Sequence, residues 1–184
     1  MIHIHEKTLQ DLEFPTVLQH VSEHCVTQLG NDEALKILPY KTKEELHIAL
    51  QLTNEYLSSF YNDNRIPNHG FDTIAKEIKL LRIENTYLEV HGLKKLVSIS
   101  LTANEIVNYL KKFEEYYKTL NTYASKIPVT KELITQINSI IDRFGDVKDQ
   151  ASNELYELRK AVNSVKGKIN QSFTYALQTY AELD

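Results

Sequence analysis

The sequence predicts an all-α fold, and three observations carry that prediction. Apolar residues recur at spacings of three and four along nearly the whole chain, the period of a helix with one buried face. Glycine and proline are scarce, five and four among 184 residues, so a β-sandwich or barrel, which needs a turn residue about every 8–12 positions, is excluded. Helix-opening patterns recur as well, a hydroxyl followed three residues later by an acid. With 42% hydrophobic and 25% charged residues, the chain can fill a core and solvate a surface, which excludes disorder.

The elements follow in order. Thr8 and Asp11 are placed as a capping box for a short helix near Thr8 to Leu12. Pro15 suits the first turn of a second helix, whose stripe is Phe14, Val17, Leu18, Val21, Cys25 and Leu29, with Gly30 as its left-handed stop. Asn31 is the expected cap of a short helix that ends before Pro39. Thr42 and Glu45 form a full capping box, opening a helix with Leu46, Ala49, Leu50, Thr53, Tyr56, Leu57 and Phe60 on one face. The stretch 62–72 holds a proline, a glycine and three asparagines and reads as an ordered loop. Asp72 is the expected cap of a helix bearing Ile74, Ile78 and Leu81.

Thr86 and Glu89 make another box, for a long helix carrying Leu93, Leu96, Val97, Ser100, Val107, Leu110, Phe113 and Tyr117. Pro128 breaks the pattern, and Leu133, Ile134, Ile137, Ile140 and Ile141 give one more helix. From Asp142 to Ser152 there is no helical stripe, and Gly145 predicts a turn with a short extended piece. Ser152 is a natural N-cap, with Glu154 near the positive end of the helix dipole. Leu155, Leu158, Val162, Val165, Ile169, Ser172 and Ala176 then step by three and four, a coiled-coil seam over about three heptads. Phe173, Leu177 and Tyr180 widen it, and no glycine or proline stops the helix before Asp184. The seam is still apolar where the chain runs out, so the expectation is a helix cut partway along. The organisation is a helical core over residues 1–150 and the start of a long helix over 151–184.

Composition narrows function mainly by exclusion. The formal charge is −4 and the pI near 6.0, which argues against a surface gripping phosphates unaided. From Val129 onward seven basic residues meet eight acidic ones, a mixed solvated face. A lone cysteine, Cys25, excludes an internal disulfide and fits a reducing cytosol. Secretory-signal and membrane-spanning patterns are lacking. No G-x-x-x-x-G-K-[ST], G-x-G-x-x-G or G-x-S-x-G string occurs, so phosphate cradles and nucleophile elbows are not predicted.

His20, Glu23 and His24 match the H-x-x-E-H string of inverted zinc proteases, in which two histidines hold the metal and the glutamate polarises its water. On the helical wheel His24 lies at the edge of the apolar stripe and His20 toward solvent, so flanking histidines of an amphipathic helix are the better account. His3 and His5 fit a frayed end better than a metal pair. His69, beside Gly70 and near Arg65, Asn64 and Asn68, is the loop candidate for binding, although such clusters usually bond their own backbone. Cys25 sits in an apolar stripe and reads as a buried small hydrophobe rather than a nucleophile. Tyr56, Tyr109 and Tyr117 fall on helical stripes, where packing explains them. No catalytic, cofactor-binding or metal residue is predicted.

Two stretches carry a resemblance. Leu12 to Val21 (LEFPTVLQHV), with Leu29-Gly30 and Leu38-Pro39, is one. Ile141 to Ser152 (IDRFGDVKDQAS), followed by Leu155, Leu158 and Arg159, is the other and the more specific. Together they resemble the N-terminal part of the MutS family of DNA-repair ATPases, in its second bacterial, anti-recombination endonuclease branch. The resemblance implies a helical core whose last helix ascends as a lever toward a DNA clamp, coupling ATP state to DNA grip without chemistry of its own. It implies an ATPase domain with ATP and Mg later in the chain, a C-terminal nuclease, a cytoplasmic homodimer and DNA as partner of the whole protein. For this segment alone, DNA binding is expected to be weak or absent. The structural residues are then the seam Leu155, Leu158, Val162, Val165 and Ile169, and Gly145, whose turn aims the lever. The alternatives are a freestanding helical adaptor whose seam binds a partner helix, and, distantly, a small zinc hydrolase using His20, Glu23 and His24.

Overall fold

The computed structural model describes residues 4–61 and 65–181. His3, Asn64 and Asp184, which figure in the sequence reading, lie outside them. The described residues form nine α-helices, one 3-10 turn and one isolated antiparallel bridge, with no strand, so the all-α expectation holds. The helices are α1 (Glu6–Asp11), α2 (Phe14–Glu23), α3 (Gln28–Ala34), α4 (Lys43–Ser58), α5 (Ala75–Leu81), α6 (Val90–Lys112), α7 (Lys118–Ala124), α8 (Lys131–Ile140) and α9 (Asn153–Ala181). The chain divides into two compact units, Met1–Ile134 and Thr135–Asp184.

In the first unit α1 packs on α2, α2 on α3, and both α4 and α6 on α7. Its interior is the cluster Val107, Leu110, Tyr117 and Ala124, walled by Ile66, Ile106, Tyr109, Phe113 and Leu120. Tyr117 is only 1% exposed. Its ring stands 5.8 Å from that of Tyr109, which lies 4.8 Å from Phe113. Burial, and then a hydrogen bond with Tyr117, pushes the Tyr109 phenol above its ordinary range. Asn104, buried in the α6 stripe, is satisfied: its Oδ1 accepts the Thr130 N–H at 3.0 Å and the Thr130 hydroxyl at 3.3 Å.

Capping explains the starts that were read correctly and those that were not. The α4 box is complete, with the Glu45 N–H donating to Thr42 Oγ1 at 3.2 Å and the Thr42 N–H donating to the Glu45 carboxylate at 3.3 Å. Thr8 instead lies inside α1, which His5 caps without a side-chain bond. Thr86 turns its hydroxyl back to the Leu80 and Ile83 carbonyls, and α6 starts only at Val90. Ile74, not Asp72, precedes α5.

Gly30 is not a stop. α2 ends at Glu23, Thr27 caps α3, and the Gly30 N–H donates to Thr27 Oγ1 at 3.0 Å. A Cβ at position 30 would stand 3.2 Å from that oxygen, a tight contact to which the Thr27 side chain would have to yield. Asn31 sits inside α3 and donates to the Ser22 carbonyl at 3.2 Å, bracing α3 on α2. Cys25 lies beyond the end of α2 and is half-buried, not a core residue. Along α4 and the two residues after it the less exposed line runs Ala49, Leu52, Glu55, Tyr56 and Ser59, while Leu46, Leu50, Leu57 and Phe60 are exposed. The long stripe expected to reach Tyr117 is two helices, because α6 ends at Lys112 and Tyr117 opens α7.

Candidate functional site

In the second unit, the end of α8, a tight turn and α9 form one continuous device. Asp142 organises the turn. Its Oδ1 accepts the N–H groups of Phe144, Gly145 and Asp146, each at 2.9 Å. Gly145 adopts φ 96°, a left-handed conformation that a side chain would strain. The Asp142 N–H donates to the Asp146 carbonyl and the Lys148 N–H to the Ile140 carbonyl, both at 2.9 Å, and Ile141 bridges Val147. This is the short extended piece that Gly145 predicts. The amide of Asp146 first, then those of Gly145 and Phe144 and the Lys148 charge, hold the Asp142 carboxyl below its usual range, against the opposing effect of burial.

After the 3-10 turn Asp149–Ala151, Ser152 caps α9, accepting the Leu155 N–H at 3.1 Å. Glu154, at the positive end of the helix, has its carboxyl lowered by its own backbone amide and by the Ser152 hydroxyl. Arg159, in the second turn, reaches back across the base. Its Nη1 donates to the Val147 carbonyl at 2.8 Å and pairs with the Asp149 carboxylate. The base of α9 is thus tied to the turn by a cap and an ion pair. Sequence reasoning placed Ser152 and Gly145 correctly, but read Arg159 as one more charge on a solvated face. The clue to its role is its position, seven residues after a capping serine and ten after an aspartate.

Beyond its base α9 is bare. It has 29 residues, a length of about 44 Å at 1.5 Å per residue, and every described residue from Lys160 to Ala181 is exposed. Of the seam, Leu155 is half-buried, whereas Leu158 is 65% exposed and Ile169 61%, with Val162 and Val165 about half exposed. Phe173, Leu177 and Tyr180 continue the apolar surface. Beyond Leu155 the apolar residues at heptad spacing are therefore uncovered along this helix.

His20, Glu23 and His24 are exposed, and among the described residues no group of three or more His, Cys, Asp or Glu side chains is placed to hold a metal ion. His69 is folded into its own loop. Its Nε2 lies 3.4 Å from the Tyr56 hydroxyl and its Nδ1 3.3 Å from the Pro67 carbonyl oxygen. Asn68 Oδ1 accepts the Gly70 N–H at 3.0 Å, closing a local turn. The turn at Gly145 aims its amides at the chain's own Asp142, and Gly30 lies inside α3.

Sequence reasoning also missed the polar contact that joins α4 to α7. Glu55 of α4 accepts the Thr119 N–H at 2.8 Å and the Leu120 N–H at 2.9 Å, supplying from another helix the cap that α7 lacks.

No protein-family model matches the chain. Curated relatives do match it. It is 26% identical over 184 residues to Endonuclease MutS2 of Staphylococcus haemolyticus (strain JCSC1435), an alignment spanning 96% of this chain and 23% of the relative. It is 25% identical over 181 residues to Endonuclease MutS2 of Staphylococcus aureus strains Newman and COL, with the same coverage. The resemblance read from the two quoted stretches therefore extends over nearly the whole chain, which spans less than a quarter of the length of the relatives it matches.

Proposed function

We propose that this chain is the N-terminal core and lower lever of a MutS2-like DNA-processing ATPase, a mechanical element with no catalytic residue of its own. What carries the reading is α9: fastened over its first two turns by Ser152 and Arg159, bare thereafter, and apolar along a heptad seam. A stiff helix clamped at one end moves its far end whenever its base tilts, which is how a rigid element carries a state change over tens of ångströms. In this reading the Gly145 turn sets the angle at which α9 leaves. The seam Leu155, Leu158, Val162, Val165 and Ile169 pairs with a second helix of the arm. Nucleotide and magnesium, and the endonuclease activity named in the relatives, belong in this reading to other parts of a longer polypeptide, which acts on DNA as a homodimer in the cytoplasm.

The coding sequence tests this directly. The expected result is a reading frame that continues past Asp184 into a segment bearing a G-x-x-x-x-G-K-[ST] loop. A frame closing at Asp184 overturns the proposal and makes the exposed seam the surface of a self-contained adaptor. The 184 residues alone are expected to bind duplex DNA no tighter than about micromolar near physiological salt, and a tighter, steeply salt-dependent affinity refutes the non-gripping role.

A further inference from the structure

The seam of α9 has a charge pattern as well as an apolar one. With Leu155 at heptad position a, Val162 and Ile169 also fall at a, and Leu158, Val165 and Ser172 at d. The flanking e positions are Arg159, Lys166, Phe173 and Tyr180, and the g positions Glu154, Ala161, Lys168 and Tyr175. From Leu158 to Ala181 there are four basic residues and no acidic one. Arg159 is already committed to Asp149. Lys166 and Lys168 are exposed and stand on opposite sides of the seam, beside Val165 and Ile169.

We propose that the exposed seam of α9 is built to receive an acidic amphipathic helix, one with large apolar residues at heptad spacing and glutamates on both flanks opposite Lys166 and Lys168. The inference rests on reading α9 as one strand of a helical arm, and it adds the chemistry of the other strand. Flanking charges choose the partner in helix pairs, because they meet across the seam where contact excludes part of the water. A second copy of α9 suits the seam poorly. In a parallel, in-register pair of two copies Lys166 would face Ala161 and Lys168 would face Phe173, so a second copy gives neither lysine a carboxylate. A phosphate backbone suits it poorly too, since an apolar stripe runs between the two lysines. Farther along, Ser172 and Ala176 leave room in the seam that Phe173, Tyr175 and Tyr180 border, which calls for large side chains on the partner there.

The test uses the 184-residue chain and labelled synthetic helices of about four heptads. One carries a leucine seam with glutamate at e and g, a second the same seam with lysine there, and a third the acidic flanks with a serine seam. Fluorescence anisotropy is expected to show the acidic leucine helix binding about tenfold tighter than the basic one at low salt, with the gap closing at about 1 M salt. The double variant Lys166→Glu, Lys168→Glu, with unchanged circular dichroism, is expected to reverse the preference. Equal binding of the acidic and basic leucine helices overturns this inference but not the arm. Failure of every leucine helix to bind overturns both. Tighter self-association than acidic-helix binding, or equal binding of the serine-seam helix with displacement by duplex DNA, overturns the inference in favour of a second copy or of nucleic acid.

Discussion

Helices α6 and α9 are written in the same periodic code and meet opposite fates. α6 buries Ser100, Asn104, Val107 and Leu110 along one stripe, whereas α9 buries nothing in 29 residues. The buried stripe is the more polar of the two. It tolerates Asn104 because Thr130 saturates the side-chain oxygen, and Ser100 close by is buried as well. The seam of α9 is richer in apolar residues and remains exposed. Periodicity therefore fixes which face of a helix is apolar, while the presence of covering elements decides whether that face is core or contact surface.

The sharpest way to break the comparison is to place one substitution in each helix. Val107→Glu puts a carboxylate where the side chain is 9% exposed and packed with Leu110 and Tyr117. An unpaired buried charge is expected to cost about 4 kcal/mol or more, so urea denaturation should find the first unit unfolded or nearly so. A small loss would mean that the α6 face opens to solvent as readily as the seam of α9.

Next in size is the cap that α4 lends to α7. Glu55→Ala leaves the Thr119 and Leu120 amides without their acceptor and is expected to lower stability by about 1–2 kcal/mol. Glu55→Gln, which keeps an acceptor but no charge, should lose less. The check is the urea midpoint of the three proteins at constant slope.

The base of α9 should respond more gently. Gly145→Ala forces a side chain into φ 96° and is expected to cost about 1 kcal/mol. Faster hydrogen exchange at Phe144, Gly145 and Asp146 is the readout. Asp142 gives the same turn a pH dependence. Its folded carboxyl lies below the ordinary value of 3.8, so its contribution is in place above that pH. As the pH falls from there through the folded value, protonation removes it. Exchange protection of the three amides should be flat near neutrality and decline below that point, and Asp142→Asn should abolish the decline.

How much of this was legible beforehand can be read residue by residue. The α4 start was legible because Thr42 and Glu45 complete each other within one turn. Thr86 and Glu89 spell the same pattern, yet the carbonyls of Leu80 and Ile83 take the hydroxyl from the helix, and a local string does not record its competitors. Glu55 and Thr119 are 64 residues apart, beyond any periodic signal. The Gly145 turn, Ser152 and the apolar spacing of the seam were legible because their chemistry is local, whereas the part Asp142 plays in the turn was not read. The exposure of the seam was not, because it depends on what the rest of the molecule leaves uncovered.

The smallest expected effect on stability is also the most informative. Val162→Glu introduces the same charge as Val107→Glu, in a helix of similar composition, at a residue already about half exposed. The glutamate stays in water, the helix keeps its backbone bonds, and stability is expected to change by no more than about 0.5 kcal/mol. Binding of a leucine-seam helix should nevertheless fall sharply, since the charge then sits where a partner's apolar residue must pack. Together the two variants separate folding from function in one measurement. A loss of stability at Val162 comparable to that at Val107 would mean that the seam is covered within this chain, and α9 would then be a core helix rather than an arm.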